Sequence, residues 1–267
     1  MTGTLRVVGV GPGDPELMTV RAVKVIQQSD VICVPTGKEG GSSLALSIAA
    51  KAVNLDGKEV IEAYFPMKKT KQQGTKSAEA RKRGSATVPK TSGFTNIRTS
   101  SLVDDGELDQ KWNETVQAIL SKLEKGNDVV FLTLGDPTIY STFFYLYDRL
   151  KEALPDLHIE IIPGVSSINA AAARASVSLG LANEKIALLP ANYMEDLKDT
   201  LTVFDTVVLM KVSKVWSEIM HLLTEMNIVD KAVFISRATM EDEQVIHDIR
   251  DVRQDEINYF SLVIVRK

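Results

Sequence analysis

Short apolar runs alternate with amphipathic segments along the first half of the chain. The run LRVVGV at residues 5–10 leads into a glycine-containing turn, and Thr19 precedes a segment in which apolar residues recur at helical spacing. A second apolar run at residues 31–34 is expected to end at Pro35, which cannot donate to a strand ladder. Strands that alternate with helices in this way indicate parallel βαβ units with right-handed crossovers.

The alternation is interrupted before the middle of the chain. A helix with Ser42 or Ser43 at its N-cap and a strand at residues 58–63 are followed by residues 67–109, where Gly, Ser, Thr, Lys and Pro replace any periodicity. Loops of this length within a compact domain are usually functional or disordered. We therefore expect a long insertion at this position.

Regular alternation returns after the insertion. The segment LDQKWNETVQAILSKLEKG predicts a helix ending at Gly126, with one apolar face formed by Trp112, Val116, Ile119, Leu120 and Leu123. Further strands are predicted by DVVFLTL, HIEII, KIALLPA, TVVLMKV, KAVFISRAT and FSLVIVRK, and helices by YSTFFYLYDRLKEAL, SINAAAARA and VWSEIMHLLTEM. QVIHDIRDV predicts an edge element, which makes the second sheet mixed. The expected fold class is α/β, with a parallel-sheet domain at residues 1–179 and a mixed-sheet domain at 180–267.

Composition narrows the class of protein. Apolar residues make up 44% and charged residues 25% of the chain, as in ordinary globular proteins. No apolar run approaches the ~18 residues of a membrane helix, and the N-terminus lacks a secretory pattern. Cys33 is the single cysteine, and the three histidines lie far apart without metal-ligand spacing. These features predict a cytoplasmic protein with no membrane contact, no disulfide and no metal site.

Charge is unevenly distributed. Residues 68–98 contain nine Lys or Arg and one acid, which leaves 22 basic and 34 acidic residues in the rest of the chain. Such a segment is either a site for an anionic partner or a solvated loop. Phe94 is its only aromatic residue, and without a stacking platform a nucleic-acid partner is disfavoured.

Three apolar strands end in unusual turns. GVGPGD at residues 9–14, GDP at 135–137 and PGVSS at 163–167 each follow such a strand. Ligands of open parallel sheets bind beyond the carboxyl ends of the strands, where glycine lets the backbone approach closely and helix N-termini offer free amides. Three such turns therefore predict one composite ligand site.

The first turn fails the fingerprint of a dinucleotide site. Asp14 occupies the third glycine position of Gly-x-Gly-x-x-Gly, and Pro12 and Pro15 lack the amide donors that a pyrophosphate requires. The ligand is therefore not expected to be rich in phosphate.

The order of these motifs resembles a known family. VGVGPGDPELMTVRA, FLTLGDPTIYST and IIPGVSS are similar, in sequence and spacing, to motifs of the tetrapyrrole (corrin/porphyrin) methylases, and the likeness extends from about residue 5 to residue 267. YFPM, GDPTIYST, PGVSSINAAAAR and LLPANY most resemble the precorrin-2 and cobalt-precorrin-2 C20-methyltransferases of that family. The resemblance implies cobalamin biosynthesis, a homodimer, and S-adenosylmethionine (SAM) bound in a cleft between two domains, with S-adenosylhomocysteine (SAH) as product.

Site residues follow from the same resemblance. The implied SAM contacts are Pro12, Leu134, Gly135, Asp136, Ile139, Ser166, Ser167, Met210 and Ala238. Ala238 departs from the Gly-Thr that relatives usually carry, which suggests slightly less room for the adenine.

The implied reaction needs a proton acceptor, because C20 loses a proton after it is methylated. Related uroporphyrinogen methylases place an aspartate after the second strand, where this chain has Pro35 and Thr36. Asp14, Asp104 and Tyr140 are the candidates for this catalytic role, and for Asp14 a contact with a helix N-terminus is an equal alternative.

The basic segment suggests a substrate contact. Arg81, Lys82 and Arg83 are candidates to clamp the acetate and propionate carboxylates of a tetrapyrrole. Alternatives within the fold are another precorrin methylase or diphthine synthase, and a non-catalytic SAM-binding protein is a further one. The sequence leaves open whether the substrate contains cobalt.

Overall fold

The computed structural model describes residues 2–37, 41–65, 106–191 and 196–267. The first sheet has five parallel strands in the order β3-β2-β4-β1-β5. Its strands are β1 (Leu5–Gly9), β2 (Val31–Thr36), β3 (Glu59–Tyr64), β4 (Val129–Thr133) and β5 (Ile159–Ile162). The accompanying helices are α1 (Val20–Gln28), α2 (Leu44–Ala52), α3 (Gly106–Glu124), α4 (Phe144–Ala153) and α5 (Ser167–Arg174).

The second sheet is mixed and also has five strands, in the order β6-β7-β10-β8-β9. β6 and β7 pair in parallel, whereas the remaining neighbours are antiparallel. Its strands are β6 (Ile186–Pro190), β7 (Thr206–Met210), β8 (Ala232–Ser236), β9 (Gln244–Ile246) and β10 (Ser261–Arg266), with helices α6 (Leu197–Val203) and α7 (Trp216–Glu225). The predicted α/β class, with one parallel and one mixed sheet, is confirmed.

Helices cover both faces of the first sheet, as its apolar strands require. One core lies between the sheet and helices α3 and α4, and the other between the sheet and helices α1 and α2. The five residues predicted for the apolar face of α3 are all buried in the first of these cores. Thr19 caps α1 as expected, since its hydroxyl accepts a hydrogen bond from the amide of Ala22 at 3.1 Å.

Helix α5 connects the two sheets. It begins directly after the PGVSS turn of the first sheet, yet its small buried residues pack against the second sheet. Ala171 belongs to the same core as Val208 of β7, Ile235 of β8 and Ile264 of β10. The other face of the second sheet packs against α6 and α7. The turn that precedes α5 is thereby fixed between the two sheets.

Two expectations about local structure were wrong or incomplete. Strand β2 does not end before Pro35 but continues to Thr36. Pairing with β4 stops at Cys33, and only β3 accompanies the last residues, so a proline is tolerated where one side of the strand is unpaired. The two-turn helix α6 was not predicted. In the described part of the chain, no helix is both long and apolar enough to cross a bilayer.

An ion-pair network ties the amino ends of three strands together, opposite to the turns. The guanidinium of Arg6 donates to Asp128 at 2.8 Å and to Glu160 at 3.1 Å. Burial acts to raise the pKa of Asp128, but hydrogen bonds from Arg6 and the amide of Thr4 outweigh it and hold that pKa below its ordinary value. Hydrogen bonds from Arg21 and Arg6 likewise lower the pKa of Glu160.

Candidate functional site

The turns that follow β1, β4 and β5 contact one another directly. The amide of Gly135 donates to the carbonyl of Gly11 at 2.8 Å, and the amide of Gly11 donates to the carbonyl of Gly135 at 3.4 Å. The amide of Gly164 donates to Oδ2 of Asp136 at 3.0 Å. The three predicted turns therefore form one hydrogen-bonded unit at the carboxyl edge of the first sheet.

Glycine is required here because backbone packs on backbone. A Cβ on Gly9 would lie 2.5 Å from the carbonyl oxygen of Gly135 and 2.8 Å from the amide nitrogen of Gly164. A Cβ on Gly164 would overlap the same carbonyl oxygen. Gly135 itself has a φ of +70°, which disfavours other residues. Two of these glycines thus allow the turns to approach each other, rather than a ligand to approach the turns.

Asp136 positions the Gly135-Asp136-Pro137 turn. Its Oδ1 accepts hydrogen bonds from both the amide, at 2.8 Å, and the hydroxyl of Thr138, while its Oδ2 accepts from Gly164. Both carboxylate oxygens therefore have protein partners. The side chain joins two turns and also borders a cavity.

A cavity of about 310 Å³ lies at the turns, between them and the second sheet. This volume is at the lower end of the range of small-molecule sites. The nine residues expected to contact one ligand all line it: Pro12, Leu134, Gly135, Asp136, Ile139, Ser166, Ser167, Met210 and Ala238. They come from both sheets and from segments more than 200 residues apart in sequence, which the structure brings together.

Other lining residues were not anticipated from the sequence. The end of β2 contributes Pro35, Thr36 and Gly37, the start of α2 contributes Ser43, Leu44 and Ala45, and the start of β10 contributes Tyr259, Phe260, Ser261 and Leu262. The sequence offers one signal for these residues, the aromatic pair before β10, since aromatic side chains often line small-molecule sites. Ser43 is only 7% exposed, and its Oγ has no hydrogen-bond partner among the residues that the structure describes.

The sequence of this chain is similar to those of known proteins. The model of the tetrapyrrole (corrin/porphyrin) methylases matches residues 4–251. The chain belongs to this family. It is 31% identical to the cobalt-precorrin-2 C(20)-methyltransferase of Salmonella typhimurium (strain LT2), over 100% of this chain and 98% of the relative. It is 32% identical to the probable cobalt-precorrin-2 C(20)-methyltransferase of Methanocaldococcus jannaschii, over 97% and 94% of the two chains.

A solved structure shares the fold of this methylase. The uroporphyrin-III C-methyl transferase from Thermus thermophilus, crystallised with S-adenyl homocysteine, superposes with a TM-score of 0.60 at 17% identity. The match covers 99% of this chain and 98% of that one. The family resemblance inferred from the motifs is therefore confirmed at the level of sequence and of fold.

The three candidate proton acceptors of the methylase have different positions. Tyr140 lines the cavity, and partial burial raises the pKa of its phenol, which keeps the hydroxyl protonated at neutral pH. Asp14 instead caps a short 3₁₀ helix, because its Oδ1 accepts from the amide of Glu16 at 2.8 Å. Asp14 is not among the residues that line the cavity, in agreement with its alternative, capping role.

Four predicted residues of the methylase lie outside the described part of the chain. They are Asp104 and the basic residues Arg81, Lys82 and Arg83. Their catalytic and substrate-binding roles stay predictions.

Charged side chains in the wall of the methylase cavity are mostly basic. Among the described residues, Lys211 and Arg237 border it together with Asp136. Arg237 also forms a salt bridge of 3.2 Å with Asp242, while Nζ of Lys211 lies 5.1 Å from the ring centroid of Tyr140. Two of these three side chains are positively charged and one is negatively charged, so the described wall of the cavity offers more positive than negative charge to a ligand.

Proposed function

We propose that this tetrapyrrole methylase transfers a methyl group from SAM to meso carbon C20 of precorrin-2 or cobalt-precorrin-2, in cobalamin biosynthesis. The observation that carries the proposal is the single cavity lined by all nine residues expected to hold SAM. Similarity over the whole chain to relatives named for C20 methylation supports the choice of acceptor.

The lining of the cavity fits SAM. Pro12, Leu134, Ile139, Met210 and Ala238 give apolar walls that suit the methylene groups beside a sulfonium. The cavity lies at the carboxyl edge of the parallel sheet, where ligands of such sheets bind. When bound there, SAM supplies an activated methyl group whose departure leaves a neutral sulfide.

The contribution of the protein is alignment and exclusion of water. The linked turns fix one wall of the cavity, and α5 fixes the second sheet relative to them. No acid is needed to expel a neutral sulfide. Tyr140, protonated at the rim, is suited to donate a hydrogen bond to the acceptor rather than to act as the base. Asp104 stays the candidate for the base, whereas the capping contact of Asp14 and its position outside the cavity lining favour its alternative role.

Three further properties belong to the proposal. The basic segment around Arg81, Lys82 and Arg83 is proposed to attract the carboxylates of the tetrapyrrole. Neutralising these three residues is then expected to weaken tetrapyrrole binding and its salt dependence while SAM affinity is retained. A homodimer and a cytoplasmic location rest on the family resemblance and the composition. Light scattering after size-exclusion chromatography tests the dimer, and cell fractionation tests the location.

Turnover with methyl-labelled SAM tests the function. Precorrin-2 is offered with and without cobalt, and label is expected at C20 of at least one of them. SAH binding without turnover on either tetrapyrrole would favour a SAM-binding protein without this activity. Turnover at another carbon, or on a protein side chain, would favour another member of the family.

A pair of variants links the activity to the cavity. Ala238→Leu adds bulk at a buried lining position and is expected to lower SAH affinity at least tenfold. Ala173→Leu adds the same bulk on the exposed side of α5, away from the lining residues, and should bind SAH normally. Equal SAH affinity of the two variants would contradict the placement of SAM in this cavity.

A further inference from the structure

Lys211 lies at the rim of the cavity, directly after β7. Its side chain borders the cavity, and its ammonium group packs over the ring of Tyr140 at 5.1 Å. Tyr140 belongs to the segment that follows β4 of the first sheet, whereas Lys211 follows a strand of the second. The pair therefore joins the two walls of the cavity at its opening.

Three residues of the cavity wall have unfavourable backbone conformations. Lys211, Tyr140 and Arg237 have φ values of +60°, +53° and +50°. Residues with a Cβ rarely adopt the left-handed region, and such conformations concentrate at functional sites. For Lys211 this conformation turns the chain out of β7 into a short 3₁₀ helix. The left-handed backbone conformation of Lys211 thereby places its side chain at the cavity.

The ammonium group of Lys211 has no carboxylate partner within the described part of the chain. The nearby acid of the wall, Asp136, is hydrogen-bonded to Thr138 and Gly164, and Arg237 is paired with Asp242. A contact with an aromatic face leaves the ammonium donors of Lys211 able to bind an anion. The group is positioned but not neutralised by the protein.

We propose that Lys211 is a substrate-binding residue that contacts a side-chain carboxylate of the tetrapyrrole at the rim of the cavity. The inference rests on the proposed function and names the group of the acceptor that this side chain recognises. A carboxylate is the chemistry that a fixed ammonium group selects, and the acetate and propionate groups of the macrocycle and the amino-acid end of SAM both carry one.

The position of Lys211 favours the tetrapyrrole as the source. Ser166 and Ala238, deep in the cavity, are 5% and 6% exposed, whereas the aromatic rim residues Tyr140 and Tyr259 are 48% and 54% exposed. A macrocycle is too large for the inner cavity and must rest on this rim. Exposed aromatic faces beside a cation suit a flat, anionic ligand.

Steady-state kinetics of three variants tests the inference. Lys211→Met removes the charge and keeps the apolar stem, Lys211→Arg keeps the charge, and Lys214→Met removes a neighbouring charge that does not border the cavity. For Lys211→Met we expect KM for the tetrapyrrole to rise about tenfold, with KM for SAM and the Kd of SAH within twofold of wild type. The tetrapyrrole KM of Lys211→Arg should stay within threefold, and Lys214→Met should match wild type.

The outcomes distinguish a carboxylate of the tetrapyrrole from that of SAM, and they test the role of Lys211 separately from the proposed function. An unchanged tetrapyrrole KM in Lys211→Met overturns the inference, and so does a loss confined to SAM and SAH affinity, which would assign the carboxylate to the cofactor. A weaker salt dependence of the tetrapyrrole KM in Lys211→Met supports it, because one ion pair is lost. If the wild-type protein methylates neither tetrapyrrole, the proposed function fails. Direct titration of tetrapyrrole into wild type and Lys211→Met then still decides the role of Lys211.

Discussion

Replacement of Gly9 by alanine tests whether the linked turns are the foundation of the site. The added Cβ would meet the carbonyl oxygen of Gly135 at 2.5 Å, and the amide nitrogen of Gly164 and Cδ of Pro137 at 2.8 Å. Ordinary contacts begin at 3.4 Å, so the Gly135 carbonyl must move by ~0.9 Å. None of these three atoms is the end of a flexible side chain, and the displacement passes to the turns themselves.

The expected cost can be estimated from two opposing effects. Overpacking a rigid site typically costs about 1–3 kcal/mol or more. Gly9 does not have a positive φ, so the substitution also gains about 0.4–1 kcal/mol by restricting the unfolded chain. We expect a net loss of about 1–2 kcal/mol in the free energy of unfolding. SAH affinity should fall at least tenfold, since displacements near 1 Å in a binding site have large effects.

Urea unfolding and calorimetric titration with SAH measure the two quantities, and two other glycines serve as controls. Gly57→Ala introduces a strained φ of +76° without a steric contact in the described structure, and should lose about 1 kcal/mol with normal SAH binding. Gly106→Ala has neither problem and should be nearly neutral. If Gly9→Ala retains both stability and SAH affinity within the range of Gly106→Ala, the argument from the packed turns is refuted.

Two further predictions concern stability alone. Arg6→Met should lower the free energy of unfolding at pH 7 by about 1–3 kcal/mol, because charged hydrogen bonds to Asp128 and Glu160 are lost. The pKa values of both acids are lowered in the folded protein. The stabilisation is therefore present above about pH 4 and is lost as the pH falls through the lowered pKa values. A stability difference between Arg6→Met and wild type that is equal at pH 3 and pH 7 would contradict this prediction. Ser43→Ala should cost less than about 0.5 kcal/mol, because its buried Oγ has no partner in the described part of the chain. Thr19→Ala removes an N-cap hydrogen bond and should cost about 1 kcal/mol in the same urea titration. A Ser43 variant as unstable as the Thr19 variant would show that the hydroxyl is bonded after all.

The fold was predictable where hydrophobic period and turn chemistry agree. The apolar face of α3 and the N-cap of α1 followed directly from spacing, and both are observed. The predicted end of β2 at Pro35 was wrong because the sequence does not reveal that one side of the strand is unpaired after Cys33. Helix α6 was missed because seven residues give too few repeats to define a period.

Some residues of the candidate site could be predicted from the sequence and others could not, and this difference has a physical cause. Motifs with glycine and proline are visible in a sequence because they mark backbone that must pack closely, as Gly9 and Gly164 do against Gly135. Lys211 leaves no such mark, since a left-handed lysine after an apolar strand cannot be distinguished in sequence from an exposed lysine at a strand end. The visible motifs therefore identify the framework of the candidate site, which supports the proposal for SAM. Binding of the acceptor is expected to depend on rim side chains such as Lys211, so variants of the rim, rather than of the glycine turns, should change tetrapyrrole affinity while SAH affinity is retained.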